Sequence, residues 1–129
     1  MILLDTHVLV WLSLDPNKLS KKARQAIREA RANDGIAVAS ITLWELAWLA
    51  ENGRILASGT VESFVRDSIA KVSVRPITPQ IASYAVRFPA SYPKDPQDRL
   101  IGATAVVEGM ALVTADEHIR QSKAVRTIW

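Results

Sequence analysis

The stretch DPQDRLIGATAVVEGMALVTAD, Asp95 to Asp116, decides the fold. It reads as helix, turn, buried strand and acid. Asp95 is placed to cap a helix, Pro96 suits the first helical position, and Asp98 falls at the third. Leu100, Ile101, Ala103, Thr104 and Val107 follow at mostly apolar helical spacing. Glu108 faces water near the helix end, and Gly109 stops the helix. Met110 to Thr114 is a short, mostly apolar run bounded by turn signals, as expected of a fully buried parallel strand. Asp116 follows that strand. Two carboxylates, Asp98 and Asp116, are thereby delivered to one rim of a sheet.

Working outward, the same alternation recurs. Met1 to Leu4 is an apolar strand ending at Asp5, and Thr6 to Leu14 is a helix broken by Asp15-Pro16-Asn17. Ser20 caps a helix running to about Asn33. Its buried stripe is Ala23, Ala26, Ile27 and Ala30, and the basic residues between Lys21 and Arg31 form a solvated face. Ile36 to Ala39 is a second buried strand. Ser40 or Thr42 caps the next helix, which runs to about Asn52 and carries Glu45 as its only charge between Ile41 and Ala50. Helices over roughly 60–70 and 78–88 enclose a third strand at Val72 to Val74. A turn of helix at Glu117 to Gln121 precedes a last strand at Val125 to Trp129. Short apolar strands alternating with helices predict an α/β fold with a mainly parallel sheet.

The chain has 129 residues, of which 49% are hydrophobic, so one domain with a substantial core is expected. No internal repeat or linker divides it. No apolar run is long enough to span a bilayer. The N-terminus lacks the basic region of a signal peptide. There are no cysteines, which excludes disulfides and thiolate metal sites. A cytoplasmic protein is expected. The net charge of +3 is compatible with attraction to nucleic acid, and equally with an ordinary basic surface.

In open parallel sheets ligands bind at the carboxyl ends of the strands. Asp5 follows strand one and Glu45 lies in the helix after strand two. Asp98 begins the helix before strand four, and Asp116 follows that strand. Neighbouring strands lie only about 4.8 Å apart, so these side chains are able to converge. Each acid has a structural alternative. Asp5 and Asp116 suit helix caps, Thr42-x-x-Glu45 fits a capping box, and Asp95-x-x-Asp98 resembles one. Glu45 is the hardest to explain so, because a charge on an otherwise apolar helix must find a partner. Several carboxylates at one rim repel one another unless a cation intervenes. All-oxygen ligands suit Mg²⁺ or Mn²⁺, ions that activate water and stabilise charge in phosphodiester cleavage.

With these residues in place the sequence resembles the PIN-domain family, in particular its VapC-like toxin ribonucleases. The matching pieces are Leu4-Asp5-Thr6, Trp44-Glu45-Leu46-Ala47, Asp95-Pro96-Gln97-Asp98-Arg99-Leu100-Ile101 and Leu112-Val113-Thr114-Ala115-Asp116, in the family's order across nearly the whole chain. The resemblance implies a PIN-like three-layer sandwich over residues 1–129. It implies a metal-dependent endoribonuclease, the toxin of a toxin–antitoxin pair, hydrolysing RNA through metal-activated water to leave a 5′-phosphate and a 3′-hydroxyl. Asp5, Glu45, Asp98 and Asp116 would hold Mg²⁺ or Mn²⁺. Thr6 and Thr114 would support the carboxylates. Asp95 is assigned to capping first and to the acid set second, and Arg99 to a phosphate or an acid. The family also implies a homodimer and a small antitoxin covering the cleft.

Two other classes compete. A catalytically inactive module of the same fold would bind RNA or protein without turnover, which the complete acid set disfavours. A phosphatase using Asp5 ranks last, because Asp5-Thr6-His7 lacks the second nearby acid. His7 and His118 are read as structural. Trp44 and Trp48, one helical turn apart, are read as core, with an interface role as the alternative; Trp11 is treated alike.

Overall fold

A computed structural model describes residues 1–55 and 58–129. The described residues form five strands: β1 (Ile2–Leu4), β2 (Ile36–Ala39), β3 (Ser73–Arg75), β4 (Leu112–Val113) and β5 (Thr127–Ile128). Between them run α1 (Thr6–Leu14), α2 (Lys21–Ala32), α3 (Ile41–Glu51), α4 (Val61–Ser68), α5 (Pro79–Val86), α6 (Pro96–Val107) and α7 (Glu117–Ser122). The sheet order is β3-β2-β1-β4-β5, and every pairing is parallel. The expected α/β fold with a parallel sheet is therefore the observed one.

The strands alternate strictly between two cores, because successive side chains of a strand point to opposite faces. Leu3, Ala37, Ala39 and Leu112 pack with Ile81 of α5 and Ile101 of α6. Leu4, Ile36, Val38 and Val113 pack with Val8 of α1, Ile27 of α2 and Leu46 of α3. Helices thus cover both faces of the sheet in three layers. All four residues of β2 are buried, which explains why this strand reads as a continuous apolar run rather than an alternating one.

Helix starts follow the sequence closely. Ser20 accepts from the Ala23 amide, Thr60 from Ser63 and Thr78 from Ile81, each satisfying a first-turn N–H. Gly109, at φ +71°, makes the left-handed turn that ends the α6 segment. Two segments differ from expectation. The fourth and fifth strands keep only two residues each, although the expected spans were five residues each. The third strand lies one residue later, at Ser73–Arg75, where it pairs with Ala37 to Ala39. Sheet hydrogen bonding set these limits, and the extent of an apolar run does not reveal it.

Candidate active site

β1 is the middle strand, with β2 and β4 on either side. The carboxyl ends of these three strands deliver the acids. Asp5 directly follows β1 and is the N-cap of α1; its Oδ1 accepts from the Thr6 amide at 2.8 Å. Its Oδ2 accepts from the Thr114 hydroxyl, 2.7 Å away at the end of β4. The Thr114 hydroxyl oxygen accepts in turn from the Asp116 amide, at 3.1 Å. Asp116 caps α7 by accepting from the Ile119 amide at 3.0 Å. One threonine thereby links the acids that follow β1 and β4.

A second threonine links β1 to the helix after β2. The Thr6 hydroxyl donates to Glu45 Oε1 at 2.8 Å and lies 2.9 Å from the Thr42 hydroxyl. A hydroxyl has one proton, so Thr42 must be the donor to Thr6. Thr6 and Thr42 are buried. The Thr42-x-x-Glu45 capping box does not form: Glu45 faces Thr6, and the N-cap position is Ser40, with no side-chain cap bond. The charge on this apolar helix finds its partner across the sheet rim, in a hydroxyl.

Asp95 and Asp98 arrive on α6. Asp95 is its N-cap, accepting from the Gln97 amide at 2.9 Å, and Asp98 stands in the first turn. The backbone carbonyl of Asp98 accepts from the buried Tyr92 hydroxyl at 2.9 Å. That contact depends on Gly102, one turn further along. A Cβ there would overlap the Tyr92 hydroxyl and come within 3.1 Å of the Phe88 ring. The sequence gives no sign of the part played by Tyr92 and Gly102, because both act through tertiary packing.

Asp5, Glu45, Asp95, Asp98 and Asp116 line one cavity of about 430 Å³, with His7 and Trp11 in its wall. Burial raises the Asp5 carboxyl above the ordinary carboxylate range, against its bonds from Thr114 and Thr6. Glu45 is raised by burial, with the negative charges of Asp5 and Asp95 adding to it and the Thr6 bond opposing. Asp98 is pushed up to about 7, first by burial and then by the charges of Asp5, Asp95, Asp116 and Glu45. Among the described residues, no three of these side chains stand at the spacing needed to grip one ion. The donor set nonetheless has the chemistry of a hard divalent cation site: oxygen ligands only, in mutual repulsion that a cation would relieve.

Arg99 pairs with no acid among the described residues. Its guanidinium donates to the backbone carbonyls of Pro93, Ala85 and Phe88, at 3.1, 3.2 and 3.4 Å, and so braces the loop before α6. Trp44 and Trp48 are likewise not core residues: they are 52% and 43% exposed. Trp11 is half-buried and packs 6.0 Å from the Trp129 ring.

A parallel three-layer α/β domain with carboxylates gathered at the carboxyl ends of its central strands is the class these features define. The PIN domain model matches residues 2–124, and the chain belongs to the PIN-domain family. It is 45% identical over 130 residues to Ribonuclease VapC22 of Mycobacterium tuberculosis (strain ATCC 25618 / H37Rv), covering 99% of this chain and 98% of that one. Among solved structures it resembles DNA-bound VapBC from Salmonella typhimurium, with a TM-score of 0.75 and 22% identity over 98% of this chain and 97% of that one. VapBC2 from Rickettsia felis, bound to a DNA fragment from its promoter, gives a TM-score of 0.73 and 17% identity over the same shares. At such identities the structural likeness speaks for the fold.

Proposed function

We propose that the chain is an endoribonuclease of the VapC kind, the toxin of a toxin–antitoxin pair, acting on RNA with Mg²⁺ or Mn²⁺. The observation that carries this reading is the convergence of Asp5, Glu45, Asp95, Asp98 and Asp116 on one cavity, in a chain 45% identical to a named ribonuclease. Asp5, Glu45, Asp98 and Asp116 are the residues that would hold the cation. When bound there, a divalent cation supplies Lewis acidity: it activates water and offsets the charge that builds on the scissile phosphate.

The protein's own contribution is placement. The Thr114 hydroxyl orients Asp5, the Thr6 hydroxyl orients Glu45, and the Ile119 amide orients Asp116. The Asp98 carboxyl accepts no hydrogen bond among the described residues; like Asp5 and Glu45 it is raised, and these carboxyls must release their protons for the set to become fully anionic. Asp95 stays with α6 as its cap while adding negative charge to the cavity. Arg99 supports the loop that presents Asp95 and Asp98.

The proposed partners are an RNA substrate, a cognate antitoxin and a second copy of the chain. The exposed apolar residues Ile77, Tyr84 and Val86 support a self-association face on and beside α5. The proposed compartment is the cytoplasm. Among the described residues no helix is long and apolar enough to cross a membrane.

The deciding experiment is cleavage of unstructured and structured RNAs with Mg²⁺, with Mn²⁺ and with EDTA. Turnover with either metal, lost in EDTA and restored by excess metal, is the expected result. Equal turnover in EDTA overturns the metal-dependent reading. RNA binding without turnover under any condition favours the inactive module of the same fold.

A further inference from the structure

We propose that Trp44 and Trp48 form a stacking platform for unpaired bases of the RNA strand whose phosphodiester enters the acid cavity. This rests on the nuclease reading above and names side chains that hold its substrate.

Trp44 and Trp48 stand four residues apart on α3, which puts their side chains on one stripe about 5–6 Å apart at Cβ. Only Thr42 and Leu46 of α3 are buried, so the two large rings lie outside both cores. They line a cavity of about 380 Å³ together with Gln97, and that cavity shares His7, Glu45 and Asp95 with the acid cavity. The two cavities therefore adjoin, and a strand is able to occupy both.

Cations accompany the rings. The Arg54 guanidinium lies 5.8 Å from the Trp48 ring centre and pairs with no carboxylate among the described residues. Beyond His7 a further cavity of about 780 Å³ holds Trp11, Lys18 and Arg54, with Lys18 Nζ 5.9 Å from the Trp11 ring. This cavity and that of Trp44 and Trp48 share His7 and Leu49, so the rings of Trp11, Trp44 and Trp48 and the cations Lys18 and Arg54 form one continuous surface beside the acids. Proteins hold single strands with this combination, bases on rings and phosphates on cations. Asp15 lines the same cavity as Lys18 and Arg54, but neither cation forms an ion pair with it, so both are available to a phosphate. In a duplex the bases are already stacked on one another and cannot reach the rings.

The test is binding of an end-labelled single-stranded oligoribonucleotide to the Asp98→Asn protein in Mg²⁺, read by fluorescence anisotropy. Trp44→Ala, Trp48→Ala and Trp48→Phe are added in that background, and thermal melts confirm folding. Each alanine is expected to weaken binding about 10-fold, the size of a base–aromatic stack, while Trp48→Phe keeps most of the affinity. The loss should vanish on an oligonucleotide made abasic beside the cleavage position, and on duplex RNA. Equal binding by all variants overturns the proposal, as does an equal loss on normal and abasic strands. Rings that govern only the affinity for a protein partner, with RNA binding unchanged, overturn it too. Cleavage by the parent chain is scored separately. Cleavage with ring-independent binding removes the platform alone. Ring-dependent binding without cleavage removes the nuclease reading and keeps the platform as an RNA-binding face.

Discussion

Asp5 and Asp98 line the same cavity, yet the chain treats them differently. Asp5 is held at both oxygens, by the Thr6 amide and the Thr114 hydroxyl. Asp98 is held through its backbone carbonyl by Tyr92, while its carboxylate accepts no bond among the described residues. Both feel burial and neighbouring negative charge, but only Asp5 receives hydrogen bonds that favour its ionised form. Burial and the neighbouring charges push Asp98 up to about 7, and Asp5 too is raised by burial despite its two bonds. The difference is one of placement: Asp5 is fixed at both oxygens, while the Asp98 carboxyl is left to respond to what enters the cavity.

The largest effect is expected at the responsive end. Asp98→Asn should lower metal-dependent RNA cleavage by about 100-fold or more, the scale at which a group stabilising transition-state charge is felt. The same change should stabilise the metal-free protein by about 1–2 kcal/mol at pH 8, because it removes a buried carboxylate from a field of like charges. Thermal melts in EDTA and cleavage rates measured in parallel check both halves. Loss of activity with loss of stability would mean that Asp98 serves the fold instead.

The pH dependence follows from the same group. Its folded-state pKa, about 7, lies above the ordinary 3.8, so the folded protein holds this proton more tightly than the unfolded chain. The stabilising contribution is complete below about 4 and is lost as pH rises towards 7. The raised Asp5 and Glu45 act in the same direction. Metal-free stability should therefore fall between pH 5 and 8, and the stabilisation by added Mg²⁺ should grow over that interval. In Asp98→Asn both slopes should flatten. Urea melts at several pH values, with EDTA and with Mg²⁺, read the slopes directly.

At the fixed end a smaller effect is expected. Thr6→Val removes the donor to Glu45 and the acceptor for Thr42 while preserving shape. It should cost about 1–3 kcal/mol, the penalty for leaving buried polar groups unpaired. Cleavage should fall by about 10-fold, as expected when a residue that only orients a metal-binding group is lost. A Thr6→Ser protein should recover most of both, since the hydroxyl is retained. Equal defects in the serine and valine proteins would show that the methyl group, not the hydrogen bond, matters.

The fold was legible because its signals are local. The cap at Ser20, the helix starts near 60 and 78, the stop at Gly109 and the buried β2 are written in adjacent residues. Strand order puts β1 between β2 and β4, so the meeting of Asp5, Glu45, Asp98 and Asp116 in one cavity also follows from residues that stand just past strand ends or in flanking helices. The family resemblance implies that Thr6 and Thr114 support the carboxylates, and they do; which acid each one serves depends on partners distant in sequence. The bond from Thr114 to Asp5 spans 109 positions, and the one from Thr6 to Glu45 spans 39. Trp44 and Trp48 misled because an apolar helix looks buried on every side, whereas α3 packs inward through Thr42 and Leu46, with Ile41, Leu43 and Leu49 partly buried, and leaves both rings outside.

Arg99 brings the comparison to its smallest effect. It adjoins Asp98 in sequence, and its family context suggested a charge for the site. Its guanidinium instead closes the carbonyl of Ala85 at the end of α5 and those of Phe88 and Pro93 in the α5–α6 connection, which no other described donor serves from a side chain. A lysine keeps the charge but cannot present the planar fork that reaches several acceptors at once. Arg99→Lys should therefore destabilise the protein by about 1–2 kcal/mol, one or two hydrogen bonds' worth, in urea melts. Cleavage per folded molecule should stay within about two-fold of the parent, far below the loss expected where catalytic charge is removed. If Arg99 met the phosphate, the lysine protein would show a raised KM with unchanged stability. The two outcomes are opposite in both measurements, so a single variant decides whether the cation beside Asp98 supports the scaffold or the substrate.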